Sequence, residues 1–197
     1  MKKQTHAISV HTLSLTAMFA ALTLLATSVL KIPTPTFGYL HIGDTFVLLS
    51  GIFLGPLWGP LAAGLGSALS DLLGGYVLWV PGTFVIKYLT ALTASVLFSR
   101  FRQENGRQHL RLQTPLLLLS GILGEAVMVA GYFFYNILIV AFSTGTLNTA
   151  GFAASAAASA AEIPFNLVQG TCGVVLTLVL YPMLRRLPAN VFLVSES

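Results

Sequence analysis

Between Gly43 and Val80 the chain carries two charged residues, Asp44 and Asp71, and no basic one. A hydrocarbon core of about 30 Å is crossed by about 20 helical residues. The run is too long for one crossing and too apolar for a soluble surface. The remainder agrees with it. Hydrophobic residues make up 55% of the chain and charged ones 8%, where soluble domains carry about a quarter charged. The chain therefore belongs in a bilayer. Its single cysteine, Cys172, excludes a disulfide framework, and His6, His11, His41 and His109 are too far apart in sequence to suggest a metal site. Ten basic residues scattered along so apolar a chain form no nucleic-acid-binding face.

The spacing predicts an all-α bundle of six membrane-crossing helices, over about 11–30, 44–58, 60–80, 83–99, 115–142 and 164–184, in a single domain covering 1–197. The first is too long and too threonine-rich for a signal peptide's apolar region, and no cleavage site follows it, so it reads as a retained helix. Pro33 and Pro35 end it, because proline cannot continue a helix. Gly55-Pro56-Leu57-Trp58-Gly59-Pro60 supplies a turn inside the long apolar run, and Pro81-Gly82 separates the next pair. The alanine-rich stretch Gly151–Ala161 reads either as a short surface helix or as the lead-in to the last span.

Lys2, Lys3, Arg100, Arg102, Arg107, Arg111, Arg185 and Arg186 account for eight of the ten basic residues. With six spans they all fall on one side, which the positive-inside rule makes cytoplasmic, both termini included. That orientation gives depths to the intramembrane polar groups, which are expensive in lipid and functional candidates by default. Asp71 comes about 18 Å up its helix at 1.5 Å per residue. Lys87 lies about two turns below the outer surface. Glu125 sits near the midplane with Tyr132 and Asn136 above it, while Glu162, Asn166 and Gln169 descend through the outer half. Polar side chains from several helices thus meet at one outer depth, as in a small-molecule pocket with apolar walls and a few convergent polar groups. Tyr76, Trp79, Phe84, Tyr132, Phe133 and Phe165 are candidate stacking walls.

Structural roles compete with that reading. Asp71 and Lys87 could form an ion pair between neighbouring helices, and Glu125 could satisfy a nearby hydroxyl. Asp44 and Glu162 could cap helices at the interface, and Trp58 and Trp79 could anchor the interface. Ala17 and Ala21 place two small residues four apart on the first helix, a spacing that lets a second helix approach closely. No phosphate loop, His-Glu-x-x-His pair or Gly-x-Ser-x-Gly elbow occurs. The chain has an outward pocket and no engine of its own.

At this point the sequence resembles the substrate-binding S components of energy-coupling factor (ECF) vitamin transporters. The resemblance rests on His41-Ile42-Gly43-Asp44, on Leu54-Gly55-Pro56-Leu57-Trp58-Gly59, on Gly64 to Gly75 with Asp71 inside it, on Lys87, and on the Ala17/Ala21 pair. It is similar to the branch for hydroxymethylpyrimidine or pyridoxine. The resemblance implies a multi-pass protein of the bacterial plasma membrane that binds a vitamin near the outer face. It implies as partners a membrane coupling (T) subunit and two cytoplasmic ATPase (A) subunits, with Ala17 and Ala21 on the docking face and the segment from Lys31 to Ile42 as a lid. No cofactor, no metal and no catalytic residue is expected. The substrate-binding candidates are Asp71, Lys87, Glu125, Tyr132, Asn136, Glu162, Asn166 and Gln169. Other readings are an S component for riboflavin or pantothenate, a stand-alone permease, and an intramembrane enzyme using Asp71 and Glu125 as acid and base.

Overall fold

The computed structural model describes residues 9–34, 38–104, 110–145 and 147–186. Lys2, Lys3 and Arg107 of the basic set lie outside them. The elements in chain order are α1 (Val10–Val29), a two-stranded hairpin β1 (Ile32–Pro33) and β2 (Tyr39–Leu40), α2 (Asp44–Leu73), α3 (Val80–Glu104), α4 (Leu110–Thr144), α5 (Thr149–Ala160) and α6 (Ile163–Leu184). Among the described residues, five helical stretches are long and apolar enough to cross a bilayer: α1, α2, α3 as far as Arg100, α4 from Gln113, and α5 with α6 together.

The predicted second and third helices are the two arms of α2, and the break between them falls at Gly55, the first residue of the predicted Gly55–Pro60 turn and three residues before the predicted helix boundary at 58. Gly55 takes φ 79° and ψ −175°, a conformation open to glycine and costly for a side chain. Pro56 follows, its fixed φ suited to a helix's first turn. A straight helix of 30 residues would be about 45 Å long. Yet both ends of α2 reach the C-terminal turn of α1. Gly43 lies against Thr27 and His41, and near the other end the Ser70 hydroxyl meets that of Ser28 at 2.9 Å. The chain therefore doubles back at Gly55, and the Ser50 hydroxyl ties the arms by donating to the Gly59 carbonyl at 3.0 Å.

The third predicted helix also ends early. Gly75, at φ 83°, stops α2, so Tyr76 and Trp79 sit in a connecting loop. Pro81 and Gly82 fall inside the first turn of α3 instead of separating two helices, because proline at a helix start removes only an N–H that has no partner there anyway. The stretch from Gly151 is helical as far as Ala160. Asn148 caps α5 by accepting from the Gly151 N–H at 2.8 Å, and α5 leads through Ala161 and Glu162 into α6.

An apolar cluster fills one end of the bundle: Leu15 and Phe19 from α1, Leu49, Leu54 and Ala62 from α2, Phe98, Leu117 and Tyr181 from α3, α4 and α6. Phe53 bridges it, with ring centroids 6.4 Å from Phe19 and 5.4 Å from Tyr181. The Arg185 guanidinium bonds to the Gln113 side chain at this same end, and Arg100 follows Phe98 by two residues. The β1–β2 hairpin lies at the opposite end, with Ile32 paired to Leu40 and Pro33 to Tyr39.

Candidate functional site

At the hairpin end the polar residues of four helices turn inward. A cavity with a free volume of about 50 Å³ is lined by Ser67 and Asp71 of α2, Thr83 and Lys87 of α3, Tyr132 and Asn136 of α4, and Asn166 and Gln169 of α6, with Glu162 just before it. Seven of the eight sequence candidates share it. Glu125 is the exception. It is buried, and its carboxyl oxygens have no hydrogen-bond partner among the described residues. Glu125 lines an apolar groove between α4 and α6 that also takes in Phe133 and Phe134. Asn166 borders both spaces.

The floor is ionic. The Lys87 ammonium bonds to one carboxylate oxygen of Asp44, and both side chains are fully buried. Gln169 donates from Nε2 to the other oxygen at 2.7 Å, and its own Oε1 accepts from the His41 backbone N–H at 3.3 Å. The sequence offered Asp71 as the partner of Lys87 and Asp44 as an interfacial cap. The structure corrects both, since Asp44 opens the inward arm of α2 opposite Lys87. Glu162 likewise makes no capping hydrogen bond to α6.

Asp71 instead accepts from the Tyr39 hydroxyl at 2.6 Å. Glu162 accepts from the Thr34 hydroxyl at 2.7 Å, and the same hydroxyl takes the Gly38 N–H at 3.0 Å. The hairpin is therefore fastened to the cavity through two acids. Burial, with the Asp71 charge beside it, raises the Tyr39 phenol above its ordinary value, so it stays a donor. His41, packed beneath the hairpin, is pushed down to about 4 by burial. Its Nδ1 accepts the Gly43 N–H at 3.1 Å, as a neutral imidazole can.

Aromatic rings close the walls. Tyr39 and Tyr76 lie 5.0 Å apart, and Tyr76 meets Trp79 edge-on at 6.0 Å. Trp79 lines the cavity and donates from Nε1 to Asn136 at 3.0 Å. Tyr132 donates to Thr83 at 3.2 Å and lies 5.3 Å from the Lys87 ammonium. Lys31 at the rim sits 4.4 Å from the Tyr39 ring centre and donates to the Ser70 carbonyl. Of the other candidate walls, Phe133 faces the α4–α6 groove and Phe84 stacks on Tyr88. The sequence reading missed Thr27, Tyr39, Ser67 and Thr83 as lining residues. Ser67 and Thr83 stand one helical turn before Asp71 and Lys87, a spacing that puts them on the same face.

Residues 7–186 match the family of the ECF-type riboflavin transporter, S component. The chain belongs to this family. It is thus a multi-pass membrane protein of that family. The fold of this S component is similar to that in a solved structure described as the S component of a bacterial ECF transporter. The TM-score is 0.62 and the identity 20%, over 88% of this chain and 95% of that one. A relative from Pyrococcus woesei, an uncharacterized protein in the gap 3′ region, is 38% identical over 107 residues. Those residues are 54% of this chain and 65% of the relative.

Proposed function

We propose that this S component captures a flat, hydroxyl-bearing nitrogen heterocycle from outside a bacterial plasma membrane. The observation that carries the reading is the convergence of Asp71, Lys87, Tyr132, Asn136, Glu162, Asn166 and Gln169 on one aromatic-walled cavity, at the end of the bundle away from Arg100, Arg185 and Arg186. Tyr76, Trp79 and Tyr132 stack on the ring, Asn136 and Asn166 orient it, and Asp71 and Glu162 accept its hydroxyl or amine hydrogens. The description of the family favours riboflavin. A second reading, hydroxymethylpyrimidine or pyridoxine, is favoured by the small free volume of the cavity, about 50 Å³.

Six crossings with both termini cytoplasmic follow if each arm of α2 spans the membrane, and the basic ends of α3, α4 and α6 then share the cytoplasmic face. Docking on the T subunit uses the lipid-facing side of α1, where Ala17 and Ala21 are exposed opposite the buried Thr16, Phe19 and Thr23. Titration of the purified chain with riboflavin, pyridoxine and hydroxymethylpyrimidine tests the substrate. One binds tightly, and Asp71→Ala or Asn166→Ala weakens it by at least tenfold, about 1.4 kcal/mol. Unchanged affinity in both variants removes the site assignment. Ala17→Trp blocks assembly with the T subunit while leaving substrate binding intact. Uptake into vesicles holding this chain alone would instead make it a stand-alone permease.

A further inference from the structure

Two of the cavity's acids are occupied by the protein's own hydroxyls. Tyr39 fills Asp71 Oδ1 and Thr34 fills Glu162 Oε1, both from the hairpin above the cavity. Burying an acceptor without a donor costs more than a hydrogen bond returns, so these hydroxyls let the empty cavity close. A solute that reached the same oxygens would have to displace them.

The charges say what such a solute can be. Among the described lining residues the acids are Asp71 and Glu162, and Lys87 is the one lysine or arginine. Its ammonium is already committed to Asp44. His41 is held neutral by burial. Lys31 is turned to the Tyr39 and Tyr76 rings and the Ser70 carbonyl. An anionic group entering beside Asp71 and Glu162 meets like charge, and among the described lining residues no lysine or arginine is free to offset it; like-charge juxtaposition costs several kcal/mol.

We propose, building on the substrate reading above, that Tyr39 and Thr34 are stand-ins for substrate hydroxyls, so the cavity takes a neutral or cationic donor-bearing solute and refuses its phosphorylated form. The hairpin and the solute compete for one pair of acceptors. Asp71 and Glu162 determine the specificity and Tyr39 sets the threshold for entry.

The test uses the full chain in lipid nanodiscs and two matched pairs of probes: riboflavin with flavin mononucleotide, and pyridoxine with its 5′-phosphate. The unphosphorylated member of the pair that binds does so at least tenfold more tightly, and Asp71→Asn with Glu162→Gln narrows that gap. Tyr39→Phe removes the competitor and tightens the unphosphorylated probe by roughly threefold to tenfold, the scale of one modest hydrogen bond. Thr34→Val does the same at Glu162 should Tyr39→Phe fail to fold. Equal or tighter binding of the phosphate ester overturns the inference while leaving the substrate reading intact. So does weaker binding in the hairpin variants, which would make Tyr39 and Thr34 direct ligands. If neither member of either pair binds to folded native chain, and hydroxymethylpyrimidine does not bind either, the substrate reading itself fails and takes the inference with it.

Discussion

At one end of the bundle Phe19, Leu49, Phe98 and Tyr181 meet on the central axis. At the other end Asp44, Lys87, Gln169 and Asp71 hold the corresponding position. In water the first end would be stable and the second precarious. In lipid the contrast shifts, because apolar side chains gain nothing by leaving hydrocarbon for a protein interior, and helices are held by close packing and interhelical hydrogen bonds. The apolar end is secured by fit alone. The polar end is secured by pairs whose separation would strand a charge. Only the second kind of contact can be exchanged for a ligand, which is why the cavity lies there.

The largest effect separating the two ends is expected at the ionic floor. Lys87→Met leaves Asp44 buried without its cation, a loss of about 3–5 kcal/mol, read as a lowered unfolding temperature of the detergent-solubilised chain. Replacing both partners, Asp44→Leu with Lys87→Met, restores most of that stability, since an apolar pair of similar volume is often as stable as a buried ion pair. It does not restore substrate binding. A single variant no worse than the double would mean the two ends are held alike.

At the apolar end the order of effects reverses. Phe98 is 2% exposed and meets Tyr181 edge-on at 5.6 Å. Phe98→Ala opens a cavity costing about 3 kcal/mol, with the substrate dissociation constant unchanged within twofold. A matching loss of affinity would show that the packed end and the cavity move together.

What could be read from the sequence follows the same division. Helix periodicity gives each residue a depth along its helix, and depth was enough to gather Asp71, Lys87, Tyr132, Asn136, Glu162, Asn166 and Gln169, which share one cavity. Depth says nothing of azimuth. Asp44 and Asp71 stand at comparable heights on the two arms of α2, and only the fold-back at Gly55 turns Asp44 toward Lys87 and leaves Asp71 to Tyr39. Glu125 has the right depth, yet its side chain borders the α4–α6 groove. Its helix phase was not derivable without knowing which face of α4 meets α6. The hairpin contributions of Thr34 and Tyr39 were hidden for another reason. Short strands of two residues carry no periodic signal.

The smallest predicted effect concerns how firmly the polar end stays shut. His41 titrates at about 4 under the hairpin, against about 6.5 when exposed. Burial lowers it first. Asp44 favours the charged form, and Lys87 and Lys31 oppose it. Between these two values an opened hairpin binds a proton that the closed one does not, so closure weakens as pH falls, by about 1.4 kcal/mol per unit, and is independent of pH above about 6.5. Hydrogen exchange at the Thr34 amide, which bonds to the Gly38 carbonyl at 3.0 Å, reads this directly once corrected for intrinsic exchange. Protection drops between pH 7 and pH 5 in the native chain and stays level in His41→Gln. Equal protection at both values in the native chain would mean that His41 remains buried when the hairpin opens. The moving part would then be β1 alone, with the Gln169–His41 bond intact.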